Sequence, residues 1–351
     1  MMKQALRTCV WGTLLLLFAL GGVWAQQQPR PLKLKIQADA KGRVCPLLYA
    51  SEEYEIEYYE EGHESEKKKT KIPSYFGSFR ATPGKIYYLT IPPEKIVRFF
   101  SSRYRYLFEI QQWGDVKWRT FQAAFQDHEK LSISATDTPD LSLVRDMSNA
   151  FFRCVNFNSP NLCLWDVSHV EDMSLCFYEC RAFDQDLSAW HVENVRDMPS
   201  MFYGATSFSH SLAAWGDRVQ QVTNGWRMFE GSAFNESLGG WKLKNLKQLH
   251  IPSNMSHANY VKTLQEWSKM QDSELARDVR ILAFGKSYHG AEEARLKLIA
   301  DKGWTFEGDY GVLYPPSGTE PFVLEYRVKK ASQLVVPVLG QGLTISWKNL
   351  E

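Results

Sequence analysis

The sequence predicts an α/β solenoid of about five coils, preceded by a small all-β sandwich-like module and closed by a helical cap. Three observations carry that prediction. Aromatic residues return at a near-constant interval through the middle of the chain, short runs rich in Tyr, Ile and Phe stand before them, and two runs at helical spacing follow. At 351 residues, with 44% hydrophobic and 14% aromatic content, the chain can bury a large core and divide into more than one module.

Residues 1–25 read as a signal peptide. Lys3 and Arg7 precede the apolar run VWGTLLLLFALGGVWA, and the small residues Val23 and Ala25 prepare a cleavage site after Ala25. The run is short for a membrane span and no later stretch approaches about twenty apolar residues, so no span is expected once it is removed. Loss of Lys3 and Arg7 takes the 41 basic residues to one below the 40 acidic ones, which leaves no electrostatic footprint for nucleic acid. The expected location is the cell surface or the extracellular space.

Residues 26–107 hold LKLKIQA, EYEIEYY, YFGSFRA and KIYYLTI, separated by Gly, Pro and charged turns, and these runs predict the strands of the β-module. The charged stretch EEGHESEKKKTK reads as a solvated hairpin loop.

The repeats occupy residues 108–250. Phe125, Phe151, Phe177, Phe202 and Phe229 are separated by 26, 26, 25 and 27 residues, and Trp165, Trp190, Trp215 and Trp241 follow at matching offsets. LCLWDVSHV, LSAWHVENV and LGGWKLKNL share the form LxxWxVxxV, with Leu allowed for Val, which is a leucine-rich-repeat strand pattern with Trp in one Leu position. Asp146, Asp172 and Asp197 each stand before a Met at the head of a short apolar pattern, and Asn224 takes the place in the next copy. A helix cap accepts Asn as readily as Asp, whereas a calcium column favours carboxylate, so these four residues are expected to cap short helices. Such a unit cannot bury its apolar residues alone; stacking would join the Trp and Phe columns into one core.

Five cysteines remain after signal removal: Cys45, Cys154, Cys163, Cys176 and Cys180. Cys154 and Cys180 both lie three residues after a marker Phe, hence in one column on adjacent coils. Paired strands lie about 4.7–4.9 Å apart, within the Cα separation a disulfide tolerates, so this pair is the candidate bridge. Cys176 reads as a buried free thiol, and the lack of CxxC pairs argues against zinc.

Residues 251–311 predict the cap: Tyr260, Leu264 and Trp267 recur at helical spacing, and an Ala- and Leu-rich run ends at Gly303. In the tail, residues 312–351, SQLVVPVLGQGLTISW echoes KGRVCPLLYASEEYEIEYY and reads as the start of a second β-module.

WDVSHVEDMSLCFYECRAFDQDLSAW resembles the repeat of BspA-like bacterial surface proteins, a leucine-rich-repeat-related family whose consensus is approximately WDVSNVTDMSxMFxxAxxFNQDLSxW. The flanks IQQWGDVKWRTFQAAF, NMSHANYVKTLQEWSKM and AEEARLKLIADKGWTFEGDYG are similar to the family's entry and closing segments. Where the family often has a PKD-like module with WGDG, this chain has EYYEEG. The resemblance implies non-catalytic adhesion to proteins of a host or neighbouring cell.

Catalysis is not expected, because none of the eight histidines forms HExxH or a close pattern with Cys and Asp, and GxSxG, P-loop and GxGxxG motifs are missing from the sequence. Nothing calls for a cofactor or metal. Asp166, Ser168, His191, Glu193, Lys242 and Lys244 occupy variable positions of the strand pattern and are the candidate ligand-binding residues. The expectation is a secreted or surface-exposed binding protein, with a structural envelope or matrix spacer as the alternative and a carbohydrate-directed hydrolase as a remote one.

Overall fold

The computed structural model describes residues 28–74, 77–99 and 107–311. The expected signal peptide and tail module lie outside the described residues. The N-terminal part is built on a six-stranded sheet in the order Ser132–Ile133, Leu107–Gln112, Leu32–Gln37, Ile86–Ile91, Tyr54–Glu60, Lys68–Ile72. Every neighbouring pair is antiparallel except Ser132–Ile133 on Leu107–Gln112. Period-two alternation sets the faces: Leu32, Leu34 and Ile36 are fully buried while Lys33 points out. Two short antiparallel pairs, Arg43–Val44 with Phe79–Arg80 and Leu48–Ala50 with Ile96–Phe99, complete this part. The strand Leu107–Gln112, at the edge of the expected repeat region, pairs with Leu32–Gln37 and so belongs to this sheet.

The core runs on without a break. Phe99 stacks on Trp118 at 4.6 Å, and Trp113 meets Trp165 edge to face at 5.3 Å.

The α/β solenoid is not the architecture observed. Among the described residues, 113–247 hold no α-helix, only the 3₁₀ turns Pro160–Leu164 and Ala213–Val219, and the regular strands there are two-residue pieces. The reason lies in the backbone after each Asp or Asn. Asn149, Leu175, Ser200 and Arg227 have φ of 58, 54, 54 and 51°, and four residues later Arg153, Glu179, Gly204 and Gly231 have 58, 52, 67 and 70°. A left-handed residue every fourth position forbids a right-handed helix.

The same geometry redirects the amides. Met147, Asn149, Phe151 and Arg153 donate to the carbonyls of Asp172, Ser174, Cys176 and Tyr178 in the next unit at 2.7–2.9 Å, while Ala150, Phe152 and Cys154 donate three residues back. Four such bonds recur from Phe121 to Asp127 onto Asp146 to Phe152, from Met173 to Glu179 onto Asp197 to Tyr203, and from Met198 to Gly204 onto Asn224 to Glu230. The expected helix caps are therefore caps of turns. The carboxylates of Asp146 and Asp172 accept from the amides of Ser148 and Ser174 at 2.8 and 2.7 Å, and Asn224 Oδ1 accepts from Trp226 N at 3.0 Å. In the remaining unit the residue at the donor position is Pro199, which has no N–H, and Asp197 makes no such bond.

The LxxWxVxxV stretches also turn where strands were expected, with Trp190 N on Leu187 O and Val195 N on Val192 O at 3.0 Å. The column tryptophans are buried, and three of them reach back to another unit: Nε1 of Trp190, Trp215 and Trp241 donates to the carbonyls of Leu162, Leu187 and Leu212 at 2.7, 3.0 and 3.1 Å. Phe151, Phe177, Phe202 and Phe229 stack with centroids 5.3–5.6 Å apart.

The Cys154–Cys180 disulfide is likewise corrected: both are free, buried thiols. Each Sγ points at a carbonyl, Cys154 at Phe125 O (2.8 Å) and Cys180 at Phe151 O (2.9 Å), so the shared column aims the sulfurs along the stack at backbone and not at each other.

The C-terminal part is not purely helical. A parallel sheet ordered Asn224–Gly225, Gln248–His250, Arg280–Leu282, Thr305–Glu307 alternates with helices α1 (His257–Trp267) and α2 (Glu292–Lys302). Ser256 caps α1 by accepting from Asn259 N, and Gly303 ends α2 at φ 71°.

Candidate functional site

The residues chosen from the sequence fall into two charge-paired groups. Asp166 Oδ1 accepts from Ser168 N at 3.1 Å, and Asn194 Nδ2 of the next unit donates to Ser168 O at 2.6 Å. His191 Nδ1 lies 3.0 Å from Glu193 Oε1, and Arg218 lies 3.6 Å from the same carboxylate. The Ser168 hydrogen bonds, helped by His169 and His191, hold the Asp166 carboxyl below the ordinary aspartate range. Lys242 belongs elsewhere, between Asp217 (2.7 Å) and Glu274 (3.1 Å), and Lys244 is exposed. These charges largely neutralise one another.

A different row is more unusual. Phe152, Tyr178 and Tyr203 each follow a marker Phe, and because the marker points inward the next side chain points out. Phe152 and Tyr178 stack with centroids 4.8 Å apart and a 12° tilt; Tyr178 and Tyr203 stack at 4.7 Å and 6°. The Arg227 guanidinium covers the far face of the ladder, 4.8 Å above the Tyr203 ring. Its Nη2 donates to Glu230 Oε1 at 2.9 Å. Glu230 Oε2 comes within 3.5 Å of His250 Nδ1, near but not hydrogen-bonded, and the His250 ring meets Phe284 at 5.8 Å. Phe284 is 57% exposed. Alongside, Arg280 stacks over Trp226 at 5.8 Å and holds Glu307 with two bonds of 2.6 and 2.9 Å.

The electrostatics follow from these contacts. The Arg227 hydrogen bonds lower the Glu230 pKa, so the pair stays ionised. Burial lowers the pKa of His250 against the pull of Glu230, which favours a neutral ring. Burial raises the Tyr178 phenol, Glu179 and Tyr203 add to it, and Arg227 and Arg153 oppose. The arrangement offers stacking edges, hydroxyls and guanidiniums, which suit recognition. Among the described residues no group of His, Cys, Asp or Glu is placed to hold a metal ion, and no helix is long and apolar enough to cross a membrane.

Sequence reasoning missed this row because the residues after Asp were assigned to a short helix. The signal was present in the dipeptides Phe151–Phe152, Phe177–Tyr178 and Phe202–Tyr203, an inward aromatic doubled by an outward one.

No curated protein and no solved structure matches the chain. A family model described as "Mycoplasma protein of unknown function, DUF285" matches residues 119–241 and, about one unit further along, 147–268; Phe152, Tyr178, Tyr203 and Arg227 lie inside both matches.

Proposed function

We propose that this is a secreted or surface-exposed, non-catalytic binding protein that engages a protein ligand through the ladder Phe152–Tyr178–Tyr203–Arg227. The observation that carries the reading is an aromatic row left partly open to solvent across consecutive units, beside marker Phe and Trp columns that are buried. Half-buried Tyr beside Arg is the composition of energetic anchors at protein interfaces. The signal-like residues 1–25 and the resemblance to BspA-like surface repeats support export and adhesion.

The test is a binding screen of residues 26–351 against immobilised extracellular-matrix proteins and bacterial polysaccharides. Two variants run alongside: Tyr178→Ser with Tyr203→Ser, and a combined change of His191, Glu193 and Lys242. Saturable binding to a protein that only the tyrosine variant loses supports this reading. Loss only in the second variant moves the site to the charge-paired rows. A folded sample that binds nothing favours a structural spacer.

A further inference from the structure

The ladder's chemistry narrows its occupant, on the premise that it binds protein. Stacking at 4.7 and 4.8 Å covers the inner ring faces, and Arg227 covers the outer face of Tyr203. A sugar ring recognises an aromatic by lying on its face, so Tyr178 and Tyr203 offer a glycan little, the outer face of Phe152 apart. What faces outward is ring edge, and the edge of an aromatic ring is the positive end of its quadrupole. The Tyr178 hydroxyl has no hydrogen-bond partner among the described residues, and the Tyr203 hydroxyl only accepts from Arg227 Nη2 at 3.5 Å, which leaves both free to donate.

The flanking charges differ in exposure. Arg153 is 51% exposed, whereas its partners Asp127 and Glu179 are 24% and 31% exposed; Arg227 is 41% exposed against 29% for Glu230. In each group the arginine side chain is therefore more open to solvent than the carboxylates paired with it. Ring edges, phenol donors and exposed guanidiniums all complement two groups: carboxylates and the negative faces of aromatic rings. The two rung spacings together match roughly three residues of extended chain.

We propose that the ladder binds an acidic polypeptide segment that carries aromatic side chains, its carboxylates on Arg153 and Arg227 and its rings against the edges of Tyr178 and Tyr203. The experiment is fluorescence anisotropy of the mature chain with a labelled random copolymer of glutamate and tyrosine. Comparators are a lysine–tyrosine copolymer, polyglutamate and hyaluronate. The glutamate–tyrosine copolymer is expected to bind at least about tenfold more tightly than the lysine–tyrosine copolymer or polyglutamate. Added salt should weaken it. Arg153→Gln with Arg227→Gln should flatten the salt dependence, and Tyr178→Leu should reduce affinity at every salt concentration while the melting temperature of each variant shows that it folds. Equal binding of the basic copolymer overturns the proposal, as does hyaluronate binding that the same variants abolish. If a matrix protein binds through Tyr178 but the glutamate–tyrosine copolymer does not compete, this inference fails and the broader binding reading stands; if nothing binds a folded chain, both fail.

Discussion

The indole Nε1 of Trp190 donates to the carbonyl oxygen of Leu162 at 2.7 Å, across 28 residues of chain, and so fastens one unit to another in the middle of the core. Trp267 is equally buried, yet its Nε1 has no partner. Trp190→Phe should therefore cost more than Trp267→Phe: both lose volume, but the first also removes a hydrogen bond from a carbonyl that then keeps only the amide of Trp165, whereas the second removes an N–H that has no partner, a difference of about 0.5–1.5 kcal/mol. Urea denaturation of the two variants side by side measures it.

Asp172 and Asp197 occupy one column, and only Asp172 bonds an amide two residues on. Asp172→Ala should cost about 1 kcal/mol, as a lost cap does, and Asp197→Ala distinctly less. Equal losses in chemical denaturation would show that the column works through something other than the turn bond.

Gly204 holds φ 67° where the two preceding units force Arg153 and Glu179 into the same left-handed region. A Cβ at Gly204 would lie 3.2 Å from Glu179 Cγ. Gly204→Ala should destabilise by about 1 kcal/mol, read as a lowered midpoint in thermal melts.

Burial pushes the Asp140 carboxyl upward, but hydrogen bonds from Lys117 and Ser142 outweigh it and hold the pKa at about 2. A depressed carboxylate pKa contributes stability that is present above the unfolded value and lost as pH falls through the folded one. Stability should therefore decline between about pH 4 and pH 2 in part through this group, and Asp140→Asn should lessen that decline in acid titrations followed by circular dichroism.

Burial raises the pKa of Cys176, Cys154 and Cys180, which keeps all three as unreactive thiols in the core. Under native, non-reducing conditions iodoacetamide should leave them unlabelled, and all three should react once denaturant is added. Peptide mapping that recovers a Cys154–Cys180 disulfide would contradict the geometry.

Much of the packing was legible in the sequence, and the local backbone was not. The Phe and Trp columns could be read because a near-constant return of large apolar residues means one buried stripe whatever the backbone does, and the alternation of Leu32, Leu34 and Ile36 could be read because strands have period two. The spacing of Met147 to Phe151 misled, since four residues bring a side chain back to one face both in a helix and in a ribbon broken by left-handed residues. What decides between them is whether amides such as Asn149 N bond within the unit or to the next, a long-range fact that only Gly204 and Gly231 hint at. Cys154 and Cys180 share a column because each follows a marker Phe by three residues, but the aim of a thiol depends on turn geometry. Phe152, Tyr178 and Tyr203 went unnoticed for the same reason: a helix would have carried them to another face.

From Phe121 to Glu230 the links between successive units are chiefly main-chain amides and carbonyls, with four matched bonds at each of four junctions. Every backbone offers the same groups, so the junction is blind to what side chains decorate its surface. Chain length becomes a free variable: whole units could be duplicated or deleted without disturbing the frame, while the outward residue after each marker Phe drifts independently, much as the lettering on identical bricks.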